Sequence, residues 1–132
     1  MEYLTPEDIL VIHAKIIDET GGFHGVRDIG LLISLTERPK SKFGGKDFYP
    51  GVFKKSAVYL ESLANYHVFI DGNKRAAIAA SARFLFLNGF ELFVSNKDMT
   101  KFVLKVVIEK LDLERIANWF KKHSRKNKEI IS

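Results

Sequence analysis

Apolar residues recur every three or four positions in several stretches of the chain, which is the spacing of an amphipathic helix. The first such stretch contains Ile9, Ile12, Ile16 and Ile17. It follows Thr5-Pro6-Glu7-Asp8, which combines a capping hydroxyl, a proline at the first helical position and an acidic residue three after the cap. Gly21-Gly22 stops the pattern. We therefore predict a first helix between these two signals. His13 falls beside its apolar stripe, where a packing role is expected.

The same reasoning predicts a mostly helical chain. Further helices are expected for a segment that Asp28 caps and that ends before Pro39, for Val52 to Asn65-Tyr66, for Asn73 to Leu87, and for two segments opened by Ser95 and Asp112. Phe90 to Val94 is too short for a helix and predicts a brief extended segment. Glycine and proline in Ser41 to Gly51 favour a flap, for which a hairpin is one form, and a plain connecting loop is the alternative. The expected fold class is an all-α compact helical bundle with a small β flap or short extended segment.

A chain of 132 residues has room for one domain of ordinary size. We expect the domain to cover residues 1–125 and a basic, frayed tail to cover 126–132. The chain contains no cysteine, which excludes a disulfide scaffold, a thiolate nucleophile and metal sites built on thiolates. No run approaches the ~18 apolar residues of a membrane span, and the first residues show no export signal. A cytoplasmic protein is expected.

The net charge of +5 suits a polyanionic partner, such as nucleic acid or a nucleotide phosphate. Much of the excess lies between Lys121 and Lys128, where we expect a solvated, frayed end. No recognition-helix signature is present. A non-catalytic basic binding module therefore stays as an alternative, and direct nucleic-acid binding is not expected.

One segment between the two central helices, His67 to Arg75, carries most of the candidate chemistry. Gly72-Asn73 precedes the long helix, whose first N–H groups have no acceptor within the helix and lie at the positive end of its dipole. An anion such as a phosphate fits there, because glycine allows close approach and Lys74 and Arg75 add two cations. We therefore predict a phosphate site at the start of this helix.

Two titratable side chains flank that predicted phosphate site. Asp71 has a chemical use beside phosphates if it shares a cation with them, so we predict that it binds nucleotide-bound Mg²⁺. The alternative is that Asp71 only caps the helix. His67 can accept a proton from a hydroxyl at neutral pH and is the candidate general base. Phe69 and Ile70 are expected to anchor the segment against the core.

The run HVFIDGNKR resembles the signature of the Fic/Doc superfamily, whose general pattern is His-x-Phe-x-Asp/Asn-Gly/Ala-Asn-Gly/Lys-Arg. The ending Asn73-Lys74-Arg75 resembles that of the Doc (death-on-curing) branch. The likeness covers nearly the whole chain, because the Thr-Pro-Glu-Asp start with His13, the early glycines, Arg38-Pro39 and Asn88-Gly89 also match.

The resemblance implies a toxin of a type II toxin–antitoxin system that causes growth arrest through translation inhibition. Such proteins resemble kinases in chemistry: they transfer the γ-phosphate of ATP to a Ser or Thr hydroxyl of a target such as elongation factor Tu. ATP and Mg²⁺ are the implied cofactors. The implied catalytic residues are His67, Asp71, Lys74 and Arg75; the implied nucleotide-binding residues are Gly72, Asn73, Lys74 and Arg75; and Asp71 is the implied metal ligand.

Two departures from the AMP-transferring Fic pattern favour phosphate transfer. Lys74 stands where those proteins keep a small glycine, so that its bulk and charge would crowd the pocket for the α- and β-phosphates. Ile78 replaces a second arginine that would hold the γ-phosphate during AMP transfer. AMP transfer to a protein hydroxyl stays as the alternative reaction.

The resemblance also implies how the protein is controlled and how it meets its target. The inhibitory helix motif of some Fic proteins is not found in the sequence, so control would come from an antitoxin whose disordered tail folds on binding. Flap residues from Gly44 to Tyr49 would align the target segment. Neither a membrane nor a nucleic-acid partner is implied.

Overall fold

The computed structural model describes residues 1–127, which form six α-helices, one short 3₁₀ helix and two small antiparallel sheets. The helices are α1 (Pro6–Thr20), α2 (Ile29–Glu37), α3 (Val52–Asn65), α4 (Asn73–Leu87), α5 (Asn96–Glu109) and α6 (Leu113–Lys122), with the 3₁₀ helix Arg38–Lys40 after α2. The strands are β1 (Lys42–Phe43), β2 (Lys46–Asp47), β3 (Phe90–Leu92) and β4 (Ser124–Lys126). The predicted all-α fold class is confirmed. None of the helices within these residues is long and apolar enough to cross a membrane.

Four of the helices begin at the caps that the sequence predicts. The Thr5 hydroxyl accepts from the Asp8 N–H at 3.1 Å, and the Asp8 carboxylate accepts from the Thr5 N–H at 2.9 Å. Asp28, Ser95 and Asp112 each accept from the backbone N–H three residues further on and so cap α2, α5 and α6. A cap of this kind contributes about 1 kcal/mol to stability. Local sequence is therefore sufficient to locate these helix starts.

Helix α3 lies at the centre of the fold and is buried on almost every side. It packs against α4 and α6, with further contacts to α2 and α5. Every residue from Lys55 to Leu60 is buried. Helix α4 runs beside it, and the Ser56 hydroxyl donates to the Ser81 carbonyl at 3.2 Å across the pair. The short loop that joins α3 to α4 is therefore attached at both ends to helices of the buried core.

The segment from Ser41 to Gly51 contains a β-hairpin, so this alternative to a plain loop is confirmed. Strands β1 and β2 pair antiparallel, and Gly44 and Gly45 form the two-residue turn with φ of 58° and 80°. Both angles are positive, as a tight hairpin turn requires. The buried Lys55 ammonium donates to Asp47 at 3.2 Å and to the Tyr49 carbonyl at 2.6 Å. This pairing fastens the hairpin to α3.

The basic residues before position 127 belong to the fold, which corrects the expectation of a frayed end from Lys121 onward. Lys121 and Lys122 lie in α6, and strand β4 pairs with β3 so that Lys126 is opposite Phe90. Asn127 is buried and its N–H donates to the Gly89 carbonyl at 2.8 Å. Backbone pairing with a distant strand orders this stretch despite its charge. The rest of the predicted tail, 128–132, lies outside the described residues.

Candidate active site

The loop between α3 and α4, residues 66–72, has left-handed backbone conformations near both of its ends. His67 has φ of 52° and Gly72 has φ of 77°. For a residue with a Cβ, this conformation costs of order 1–2 kcal/mol. The contacts around the loop must therefore supply enough stability to keep His67 in place.

Residues inside the loop provide its first anchor. Val68 and Phe69 are buried, and the Asn73 side chain accepts from the Phe69 N–H and donates to the Phe69 carbonyl, both at 2.9 Å. The prediction that Phe69 anchors the loop is confirmed, whereas the same prediction for Ile70 is wrong, because Ile70 is 61% exposed. Its N–H donates to the Gly25 carbonyl, and its side chain lies over Gly25, which holds it at the surface.

The segment that follows α1 provides a second anchor. Val26 and Phe69 form an isolated antiparallel bridge. The Val68 carbonyl accepts from the N–H groups of Arg27 and Asp28 at 2.7 and 3.1 Å. The loop is therefore held from outside by backbone groups forty or more positions away.

A pocket of about 280 Å³ lies at the N-terminus of α4. Its lining brings together all the site residues predicted from sequence, with two apolar neighbours: Ala64, His67, Ile70, Asp71, Gly72, Asn73, Lys74 and Arg75. The N–H groups of the first three residues of α4 have no acceptor within the helix, because the first helical hydrogen bond runs from the Ala76 N–H to the Gly72 carbonyl at 2.9 Å. The pocket is therefore suited to an anion.

His67 presents its imidazole at this pocket. The residue is exposed, and within residues 1–127 its ring has no hydrogen-bond partner. An imidazole in this situation is able to accept a proton from a hydroxyl brought to it.

Asp71 is held by backbone donors from both sides. Its Oδ2 accepts from the Phe23 N–H at 3.1 Å, its Oδ1 accepts from the Gly72 N–H at 2.8 Å, and Arg75 Nη2 lies 3.8 Å from Oδ1. The Phe23 and Gly72 N–H groups, followed by the Arg75 charge, lower the pKa of Asp71. The alternative that Asp71 only caps α4 is wrong, because the N-cap is Gly72 and no side chain caps this helix.

The residues present fit an Mg²⁺ ion that is bound together with phosphates. Asp71 is ionised at neutral pH, and Mg²⁺ in nucleotide sites takes one or two carboxylates and completes its shell with phosphate oxygens and water. Residues 1–127 contain no cluster of three or more His, Cys, Asp or Glu side chains that would hold a metal alone. Asp71 is thus suited to a metal ion that takes its other ligands from phosphate oxygens and water.

The two cations of the motif differ in their surroundings. Arg75 Nη1 donates to the Thr20 hydroxyl at 2.5 Å and to the Gly21 carbonyl at 2.8 Å, so this guanidinium links α4 to the end of α1. Lys74 is exposed and has no ion pair or hydrogen bond to its side chain within residues 1–127. The Lys74 ammonium is therefore more accessible to a bound anion than the Arg75 guanidinium, which already binds Thr20 and Gly21.

Three residues outside the motif contact it closely. His13 is buried, as the packing role predicted, and it also binds the Asp71 carbonyl. Arg27 binds two carbonyls of the loop. A Cβ on Gly22 would lie 2.5 Å from Asp71 Oδ2 and 3.1 Å from Arg75 Nη2. The sequence marks Gly22 as a helix stop and as one of the early glycines of the resemblance, without indicating its contact with Asp71, and it shows no signal for Arg27.

Fold and site together define the class of this protein. A model of the Fic/DOC family matches residues 3–85, more than half of the chain, and the chain belongs to that family. The matched region contains α1 to α3, the loop 66–72 and most of α4, and it includes every residue that lines the pocket. The resemblance inferred from the motif is thereby confirmed.

Two relatives indicate to which branch of the family this chain is similar. Toxin Doc of Mycolicibacterium smegmatis is 44% identical over 91 residues, which cover 69% of this chain and 68% of the relative. Protein kinase doc of Escherichia phage P1 is 32% identical over 95 residues, which cover 72% of this chain and 75% of the relative. These similarities support a protein of the Doc-toxin type.

Gly22→Ala should displace the Asp71 carboxylate, because the new Cβ would overlap Oδ2. Gly21→Ala is the matched control: Gly21 also has a positive φ, 90°, but a Cβ there meets nothing within 4 Å. Both variants should lose about 1 kcal/mol or more from backbone strain. Only Gly22→Ala should also move the carboxyl carbon resonance of Asp71, measured by NMR. Equal shifts in the two variants would contradict the steric argument.

Acid titration tests the lowered pKa of Asp71. Because the folded-state pKa is lower than the unfolded value of about 3.9, ionised Asp71 contributes stability above about pH 4 and loses it as the pH falls through the folded pKa. The difference in unfolding free energy between the wild type and Asp71→Asn should therefore be constant near neutrality and change in favour of the variant at lower pH. Urea unfolding across this range measures it. A difference that does not change with acidification would show that the pKa is not lowered.

Proposed function

We propose that this chain is a Doc-type toxin that transfers the γ-phosphate of ATP to a Ser or Thr hydroxyl of a target protein. The observation that carries the proposal is the single pocket in which the imidazole of His67 meets the carboxylate of Asp71, Lys74 and the first N–H groups of α4. The relative named Protein kinase doc supports phosphate transfer as the reaction.

In the proposed reaction, His67 accepts the proton of the target hydroxyl as its oxygen forms a bond to the γ-phosphorus. The bond from that phosphorus to the β,γ-bridging oxygen breaks, and ADP leaves. Lys74 and the N–H groups at the start of α4 would bind phosphate oxygens, and Arg75 would add its charge from α4. Asp71 would hold Mg²⁺, which when bound neutralises charge on the phosphates.

Phosphate transfer is favoured over AMP transfer by Lys74 and Ile78. Lys74 lines the pocket, and its bulk would restrict the space for two further phosphates there. Ile78 does not line this pocket but a separate groove beside Ile16 and Thr20, and it offers no charge. The second arginine that AMP transfer would use therefore has no counterpart at this position.

The partners follow from the same proposal. An antitoxin with a disordered tail that folds on binding would control the toxin, and a tail rich in acidic residues would suit the net charge of +5. The target would be a translation factor of the elongation factor Tu kind, presented to His67 along the β1–β2 hairpin. Modification of that factor would arrest growth.

Incubation with labelled ATP, Mg²⁺ and a bacterial lysate tests the reaction. Label at the γ-position should appear on protein, whereas label at the α-position should not. His67→Ala should lower the transfer rate by about 10²-fold or more, because a general base contributes at least that much. Its affinity for ATP, measured by calorimetry, should stay nearly unchanged.

His67→Asn serves as the second variant, because asparagine tolerates the left-handed backbone at this position better than alanine does. It should lose transfer to the same extent as His67→Ala. Transfer of α-label would establish AMP transfer instead, and no transfer of either label would favour a binding module.

Lys74→Gly tests the role of the exposed cation. The variant should transfer γ-phosphate more slowly, because a charge that holds phosphate oxygens is removed and the pocket is enlarged. Competition between γ- and α-labelled ATP measures both reactions together. A rise in AMP transfer would support the argument from pocket size, and an unchanged γ-transfer rate would show that Lys74 has no part in the reaction. Arg83→Met, which removes a charge elsewhere on α4, is the control.

A further inference from the structure

Side chains from outside the motif form hydrogen bonds to the loop 66–72 near both of its ends. One end carries His67 in its left-handed conformation, and the other carries Asp71 next to Gly72. The external side chains are Arg27, in the segment after α1, and His13, within α1. Neither residue lines the pocket at the start of α4.

Arg27 holds the end of the loop that carries His67. Its Nε donates to the His67 carbonyl at 2.5 Å, and its Nη2 donates to the Tyr66 carbonyl at 3.1 Å. A guanidinium is planar and its donors have a fixed spacing, so two bonds to consecutive carbonyls define the orientation of both peptide planes. A lysine at this position has one nitrogen and cannot impose that geometry. Arg27 thereby sets the direction in which the His67 side chain leaves the backbone.

His13 holds the end that carries Asp71. Its Nε2 lies 2.7 Å from the Asp71 carbonyl oxygen, and because that oxygen accepts, the nitrogen donates. The imidazole is 3% exposed and stacks on Phe69, with ring centroids 3.7 Å apart and planes 2° apart. Phe69 is itself held by Asn73. The imidazole therefore fixes the peptide group from which the Asp71 carboxylate extends.

We propose that Arg27 and His13 are positioning residues with separate tasks: Arg27 aligns the base His67, and His13 aligns the metal-associated carboxylate Asp71. The inference rests on the proposed function for the roles of those two residues. It goes beyond that function because it assigns to His67 and to Asp71 one positioning residue each, and both positioning residues lie outside the motif.

The separation predicts two different kinetic signatures. Arg27→Met should lower kcat by about three- to tenfold, the size of a lost hydrogen bond, and leave the Mg²⁺ concentration for half-maximal nucleotide binding unchanged. His13→Leu should raise that Mg²⁺ concentration by a similar factor, with a smaller effect on kcat at saturating Mg²⁺. Calorimetry with a non-hydrolysable ATP analogue measures the Mg²⁺ requirement without turnover.

Conservative variants separate positioning from general loss of stability. His13→Gln should restore the wild-type Mg²⁺ requirement, because the glutamine amide can donate from a comparable reach. Arg27→Lys should not restore kcat, because the single nitrogen of lysine cannot impose the geometry of the planar guanidinium. Arg83→Met, which removes an exposed guanidinium from α4, should match the wild type in both measurements.

Hydrogen exchange gives a readout that does not depend on any reaction. In His13→Leu, exchange should accelerate at the Phe23 and Gly72 amides, which donate to the Asp71 carboxylate. In Arg27→Met, exchange should accelerate at the Asp28 amide, which donates to the Val68 carbonyl. The exchange rates of the Phe23 and Gly72 amides should not change in this variant. Amides in the middle of α3 report global stability and should be unaffected by either change.

The proposal is overturned if both variants change the same kinetic parameter, if His13→Gln behaves like His13→Leu, or if exchange rises throughout the protein. If the wild type transfers no phosphate, the proposed function fails, and the exchange measurements and the Mg²⁺ dependence of analogue binding still decide whether the two residues hold separate ends of the loop.

Discussion

The left-handed backbone at His67 is the constraint on which the rest of the site depends. It turns the chain out of α3 and leaves the imidazole exposed beside the N-terminus of α4. Such a conformation persists only where its surroundings hold it in place. Here Asn73 closes the loop from within, backbone groups of the segment after α1 pair with Val68, and side chains from α1 and that segment bind both ends. The geometry of the site therefore belongs to α1, α3 and α4 together.

The polar groups of the site fall into two sets. Asp71, Asn73 and Arg75 have hydrogen-bond partners within the protein, and these bonds define where the groups lie. The His67 imidazole and the Lys74 ammonium have none among residues 1–127. The first set is fixed in position by the protein, whereas the second lines the pocket without such bonds. Groups held in advance need little rearrangement when charge develops on a bound substrate.

The remainder of the chain supports this arrangement from a distance. Helices α5 and α6 and strand β4 lie beyond the region that the family model matches. The two helices pack around α3 and α4 and complete the burial of α3, and β4 pairs with β3 and contacts α6. The buried Lys55 shows that even a charge is accommodated in this helix where it binds Asp47 and the Tyr49 carbonyl of the hairpin. The hairpin and the loop 66–72 are thus attached to the same central helix.

Much of the architecture and the membership of the pocket follow from local sequence. Capping residues and apolar periodicity locate the helices, and the motif lies in one short segment between two of them, which favours a single site for His67 and Arg75. Only the tertiary structure decides that Asp71 binds the amide of Phe23, 48 positions away, and that Arg75 binds Thr20, 55 positions away. The tertiary structure also decides the outward direction of Ile70, the contacts of Arg27 and the pairing of β4 with β3. Caps and periodicity act within a few residues, whereas these contacts exist only once separate helices have packed side by side.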